Sequence, residues 1–255
     1  MTNEEVQNIA LRQSAIDCNC RPEDFLGTEN KINCSAQNDK ARKYLPLPFA
    51  CDLVSYGTNI VAQTSEKLKD TVKEYLDHYA VEHCFETPNI YVLNEKVKAY
   101  DMRVCFMAEY FLPDTELLKS LLCAYEIRVL EAEELQDLYQ ASWSNALCEE
   151  RKELDVLGVG AYEDGRLIGL AGCSADCETM WQIGVDVLPA YRKKGIASAL
   201  TSRIAVETIA RRKVPFYCCA WCNVKSARNA IRSGFKPAWV ELTVRDNSFI
   251  DKMIE

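Results

Sequence analysis

Val187-Leu188-Pro189-Ala190-Tyr191-Arg192-Lys193-Lys194-Gly195-Ile196-Ala197 joins an alternating segment, Met180 to Val187, to one with helical apolar spacing, Ile196 to about Arg211. A strand is therefore expected to pass through a tight turn bearing Arg-Lys-Lys-Gly directly into a helix N-terminus. Backbone N–H groups converge there beside the helix dipole and three cationic side chains, a combination suited to a pyrophosphate. Gly195 lacks the Cβ that would hold phosphate oxygens away from the amides, and the small Ala197 allows the same approach. A P-loop would need GxxxxGK followed by Ser or Thr, and a dinucleotide fold would need GxGxxG after a strand; neither occurs.

The run resembles the coenzyme A signature of the GNAT (GCN5-related N-acetyltransferase) superfamily, Arg/Gln-x-x-Gly-x-Gly/Ala, here Arg192 to Ala197. Val187-Leu188-Pro189-Ala190-Tyr191 is similar to that family's Val-x-Pro-x-Tyr/Phe entry. An expected strand Phe216 to Trp221, Asn223 and Ser226 after it, and then Gly234-Phe235 resemble its second cofactor segment. The resemblance implies acetyl-CoA as cosubstrate, with Arg192, Lys193, Lys194, Gly195, Ile196, Ala197, Asn223 and Ser226 around it. Val185 and Val187 would contribute backbone groups to a pantetheine arm inserted beside the central strand, while their side chains serve the core. Asn223 also has a plain reading as a helix cap.

The expected order over residues 124–248 is β-α-β-β-β-α-β-α-β. Strands are placed at Tyr125 to Leu130, Val156 to Tyr162, Leu167 to Ser174, Met180 to Val187, Phe216 to Trp221 and Trp239 to Val244. Helices are placed at Leu135 to about Cys148, from Ile196, and at Ser226 to Arg232. Asp164-Gly165 reads as a hairpin turn. The fold class is α+β (mixed α/β): a GNAT domain over 124–248, preceded by a smaller α/β domain over 1–115. In that first part, helices are expected at Glu4 to Ile16 and at Lys67 to Tyr79, the latter capped by Ser65-Glu66, with another over Ala36 to Leu45. A hairpin is expected around Tyr56 to Asn59, strands at Ile90 to Leu93 and Arg103 to Ala108, and a connecting helix at Glu116 to Leu122. The two-part layout is similar to a subgroup of bacterial acetyltransferase-like proteins. Short loops within 124–248 suggest that the N-terminal part walls the acceptor site, with a homodimer interface as the rival reading.

The resemblance also exposes departures. Family members with a base on the central strand carry Glu or His where this chain has Ile183 and Trp181, and the usual proton-donating Tyr is replaced by Ala230. Both histidines, His78 and His83, lie in the first part and read as structural. A substrate-assisted or water-relayed proton transfer is the preferred expectation; Glu178, the nearest carboxylate ahead of the strand, is the side-chain candidate for the base. The implied function is direct acetyl transfer to a primary amine in a ternary complex, and the rival is a CoA-binding sensor or scaffold without turnover.

The 255-residue chain carries a formal charge of −8, which weighs against nucleic-acid or anionic-membrane partners and favours a cationic acceptor, either a small amine or a lysine side chain. No basic start leads into an apolar stretch, and no apolar run approaches membrane length, so a cytoplasmic location is expected. Thirteen cysteines, an odd number, read mainly as reduced thiols. Cys219-x-x-Cys222 lacks a second half-site, so no metal is expected.

Overall fold

The computed structural model describes residues 1–254. In chain order the elements are α1 (Asn3–Asp17), β1 (Lys31–Cys34), β2 (Cys51–Ser55), β3 (Val61–Thr64), α2 (Lys69–His78), α3 (Thr87–Val97) and β4 (Met102–Pro113). There follow β5 (Glu126–Glu131), β6 (Asp155–Glu163), β7 (Arg166–Ser174), β8 (Met180–Val187), α4 (Ile196–Ala210), β9 (Val214–Ala220), α5 (Val224–Arg232), β10 (Phe235–Asp246) and α6 (Asn247–Ile254). This is a mixed α/β fold.

Two compact units exist, and they differ from the division expected at 115 to 124. One comprises 1–10 and 110–237; the other comprises 11–109 and 238–255. The chain changes unit inside α1, β4 and β10, so no single cut separates them.

In the unit holding 110–237, strand order is β9-β8-β7-β6-β5. Asp164 and Gly165, with φ of 50° and 79°, make the β6–β7 turn, a left-handed pair that matches strand twist. Leu157, Val159, Ile168, Ile183, Leu200, Ile204 and Phe235 are among its core residues, so α4 covers one sheet face. In the other unit β2 pairs antiparallel with β3 and β10, while β1 pairs parallel with β3. Leu53, Val72, Tyr75, Leu93 and Leu242 centre its core.

Several local expectations are corrected. Ile90 to Leu93 belongs to helix α3, where Leu93 and Val97 bury one helical face and Pro88 stands in the first turn. The expected helix over Leu135 to Cys148 is instead a chain of tight 3₁₀ turns. There the N–H groups of Asn145 and Ala146 bond the Asp186 carboxylate. Residues 116–122 form no helix either, since Ser202 Oγ accepts the Leu121 N–H. Over 36–45 the same thing happens: Asp17 takes the N–H of Arg42 and Asn38 that of Lys40. Ser65 caps nothing by side chain; a 3₁₀ turn, Glu66–Leu68, precedes α2. Strand β1 and helix α6 were not anticipated from the sequence.

Candidate functional site

Strand β8 is the axis of the site. It pairs with β7 as far as Gly169↔Val187, but its parallel ladder with β9 ends at Ile183↔Tyr217. Beyond that point Gly184 to Val187 diverge from β9 and leave a gap in the sheet. A cleft of about 1060 Å³ occupies the gap and continues to the turn ahead of α4. Its lining lies wholly within residues 144–232, inside one compact unit.

Val185, Val187, Arg192, Lys193, Gly195, Ile196, Ala197, Asn223 and Ser226 all line this cleft. Gly195 precedes α4 with φ of 81°, a left-handed conformation that glycine adopts without strain. A Cβ there would meet nothing within 4 Å, so it would project into the open space of the turn. Lys193 is also left-handed, with φ of 64°. Amides of the first α4 turn are left free by the helix itself. Lys194 does not line the cleft. Its ammonium donates to Tyr125 Oη at 3.0 Å and lies 5.0 Å from the Tyr191 ring centroid, which fastens the turn from outside. Asn223 accepts the Ser226 N–H at 3.2 Å and so caps α5.

The face of β8 bearing Gln182, Gly184 and Asp186 carries the segment 144–147. Close approach of backbones is the reason for two glycines here. A Cβ on Gly184 would collide with the Asn145 carbonyl, and one on Gly172 with that of Ala146. The opposite β8 face packs into the core, taking Ile183 and Trp181 with it. Ile183 nonetheless lines the cleft while Trp181 does not, and neither side chain can accept a proton, so the family's base positions supply none here.

Glu178 lies outside the cleft lining, and its carbonyl accepts Lys213 Nζ at 2.7 Å. Two other carboxylates do line it. Asp186 is committed to Asn145 and Ala146. Asp155, 3% exposed, accepts Cys148 N–H at 2.8 Å and Tyr139 Oη at 3.1 Å. Burial raises its pKa, opposed by those two bonds and by the facing Ser174 hydroxyl. Even so, Asp155 Oδ1 and Ser174 Oγ complete no hydrogen bond of good geometry within the chain.

A phenol is present where α5 offers only Ala230. Tyr217, on β9 at the last paired position before the gap, shares a 2.9 Å hydrogen bond with Ser226 Oγ. Its pKa is raised by burial, so it stays protonated at neutral pH. Sequence reading missed Tyr217, Asp155 and the Asp186 contact, none of which carries a motif. It also missed Lys225, Arg228 and Arg232 of α5, which line the cleft and share one helical face.

His78 and His83 are exposed in the other unit. All thirteen cysteines are free thiols; Cys219 is buried, Cys218 half-buried in the cleft wall and Cys222 exposed. No group of three or more His, Cys, Asp or Glu is arranged to hold a metal among the described residues. No helix among them is long and apolar enough to cross a membrane.

The family model for GNAT acetyltransferase matches residues 54–238. The chain belongs to that family. Solved structures similar to it include a GNAT-family protein from Novosphingobium aromaticivorans, with 19% identity and a TM-score of 0.46, covering 56% of this chain and 66% of that one. A GCN5-related N-acetyltransferase-like protein from Streptococcus suis has 19% identity and a TM-score of 0.44, covering 61% and 67%. A GCN5-related N-acetyltransferase from Kribbella flavida has 16% identity and a TM-score of 0.45, covering 60% and 63%. The chain thus spans about two thirds or less of these relatives' own length. No curated protein matches it.

Proposed function

We propose that the protein transfers an acetyl group from acetyl-CoA to a primary amine by direct attack in a ternary complex. The carrying observation is the single cleft that joins the β8–β9 gap to the Gly195 turn. Its residues fit the cosubstrate: a glycine turn open to an anion, a stretch of β8 past Ile183 with no partner on the β9 side, and cations along one end. Bound acetyl-CoA supplies the activated acetyl thioester.

In this reading Arg192, Lys193 and the amides of Gly195, Ile196 and Ala197 hold the pyrophosphate. Val185 and Val187 present backbone groups to the pantetheine arm as a neighbouring strand would, and their N–H dipoles polarise the thioester carbonyl. Asn223 and Ser226 contact its far side. Gln182 and Asp155 border the acceptor end. The amine gives up a proton through water, Asp155 being the cleft carboxylate not committed to three donors. As the C–N bond forms and the C–S bond breaks, Tyr217 stands ready to pass a proton to the departing sulfur. A cationic amine is the favoured acceptor class, given the charge of −8.

Isothermal titration with acetyl-CoA tests the site, and micromolar affinity is expected. No binding at millimolar cosubstrate overturns it. Amine-dependent thiol release across a panel of amines then tests turnover. Release no faster than hydrolysis with every amine would favour a CoA-binding sensor, the reading suggested by the lack of Glu or His on the cleft face of β8.

A further inference from the structure

Helix α5 carries cations beyond those of the Gly195 turn. Lys225, Arg228 and Arg232 recur at spacings of three and four, so one helical face presents all three to the cleft they line. None of them forms an ion pair among the described residues, although Arg203 of α4 and Arg211, just past its end, both pair with Glu207. In a chain of net charge −8, three cations unpaired on one face are not for want of carboxylates. Lys225 also stands in the first turn of α5, which holds no acidic residue. The helix dipole disfavours a cation there, and an anion seated against the turn offsets that cost.

The row is held in place relative to α4. Ser198 Oγ donates to Asn229 Oδ1 at 3.0 Å, and Asn229 Nδ2 donates to Thr201 Oγ1 at 2.9 Å. Asn229 sits beside Arg228, so the α5 cations are fixed beside the first turn of α4 but belong to a different element from Arg192 and Lys193. Two cationic groups on separate elements of one cleft suit a ligand with two separate anions.

Coenzyme A is such a ligand, with a pyrophosphate and a ribose 3′-phosphate. The geometry points to Lys225, Arg228 and Arg232 as the recognition site for the 3′-phosphate, which makes the protein selective for coenzyme A over its 3′-dephospho form. This rests on the acyl-CoA reading of the cleft. A phosphate monoester carries roughly −1.5 to −2 charge near neutral pH. Two guanidinium forks can grip it in bidentate fashion, with Lys225 adding a point charge. Lys225 to Arg232 spans about 10 Å of helix, so cations can approach one phosphate from either side.

Titration of the full chain with coenzyme A and with 3′-dephospho-coenzyme A decides the matter. The wild type is expected to bind coenzyme A at least about tenfold more tightly, equivalent to about 1.4 kcal/mol. In a Lys225→Ala, Arg228→Ala, Arg232→Ala variant the two affinities should converge, with that for the dephospho form unchanged. Competition by adenosine 3′,5′-bisphosphate should exceed that by ADP in the wild type, a comparison that needs no variant. Equal affinities in the wild type, or a variant that weakens both ligands alike, overturn the assignment. If neither ligand binds the wild type, the acyl-CoA reading itself falls.

Discussion

The Asp186 carboxylate accepts two hydrogen bonds from Asn145, the backbone N–H at 2.8 Å and the side-chain amide at 2.7 Å. The Ala146 N–H adds a third at 3.0 Å. One β8 side chain thereby holds down the whole segment over Gly172 and Gly184 and shapes the cleft roof. Asp186→Ala should release that segment. Hydrogen bonds to a charged group contribute about 1.5–3 kcal/mol each, so a rise in acceptor KM of about tenfold or more is expected. Coenzyme A affinity, measured by titration, should change by less than about threefold. Asp186→Asn, which keeps an acceptor oxygen, should recover part of the loss.

Gly195→Val should abolish coenzyme A binding while the protein remains folded. The added side chain meets no protein atom near its Cβ, so the folding cost is the left-handed backbone alone, about 1–3 kcal/mol. Circular dichroism and titration on the same sample separate the two effects. Full affinity in Gly195→Val would remove the turn from the site.

Tyr217→Phe removes the hydroxyl that meets Ser226 and retains the ring packed near Phe111 and Phe235. A drop in kcat of about 10²-fold is expected for a lost proton donor, with cosubstrate affinity preserved. The pH–rate profile should lose its alkaline limb. An unchanged profile would leave Tyr217 a packing residue.

In the unit holding 11–109, Asp52 is buried beside Glu241 and Asp17, and Gln63 Nε2 donates to it at 3.2 Å. Burial first, then Glu241, pushes its pKa well above 3.8, while the Gln63 bond opposes the rise. The folded state therefore holds a proton that the unfolded state has released. Its stabilising effect is complete below the unfolded value and is lost as pH climbs through the raised folded one. Asp52→Asn, a permanent neutral mimic, should gain stability relative to wild type as pH rises from 4 to 8. Urea midpoints across about that range test it, and parallel curves for the two proteins would refute it.

Arg42 and Asp17 form an ion pair at 2.6 Å with side chains 1% and 3% exposed. Arg42 also lies 5.1 Å from the Trp239 ring centroid. Asp17→Ala would leave the guanidinium buried beside its ring with no carboxylate at Asp17. A loss of about 3–5 kcal/mol in unfolding free energy is expected.

Legibility in the sequence followed how local each signal is. Strand β8, the Gly195 turn, α4 and the Asp164-Gly165 hairpin depend on neighbours in sequence, and each was readable to within a residue or two. The failures share a cause. Helices expected over 135–148, 116–122 and 36–45 do not form because distant side chains, those of Asp186, Ser202 and Asp17, accept backbone N–H groups there. No pattern inside those stretches announces such a partner. The cleft divides the same way: Arg192 to Ala197 was visible as a motif, while Tyr217 and Asp155 reach it through strand register alone.

Strand β10 closes the chain's second unit by a ladder to β2, from Val240↔Ser55 to Val244↔Cys51. A fragment beginning near residue 120 would keep β10 and discard β2. It would display a bare, apolar edge carrying Val240, Leu242 and Val244, a template for pairing with other copies. Insolubility of such a fragment would reflect that orphaned edge and say nothing about where the chemistry resides. Ending the piece before Ala238 removes β10, yet the loss of Tyr110 to Pro113 of β4, the neighbour of β9, still leaves β9 with an unpaired edge.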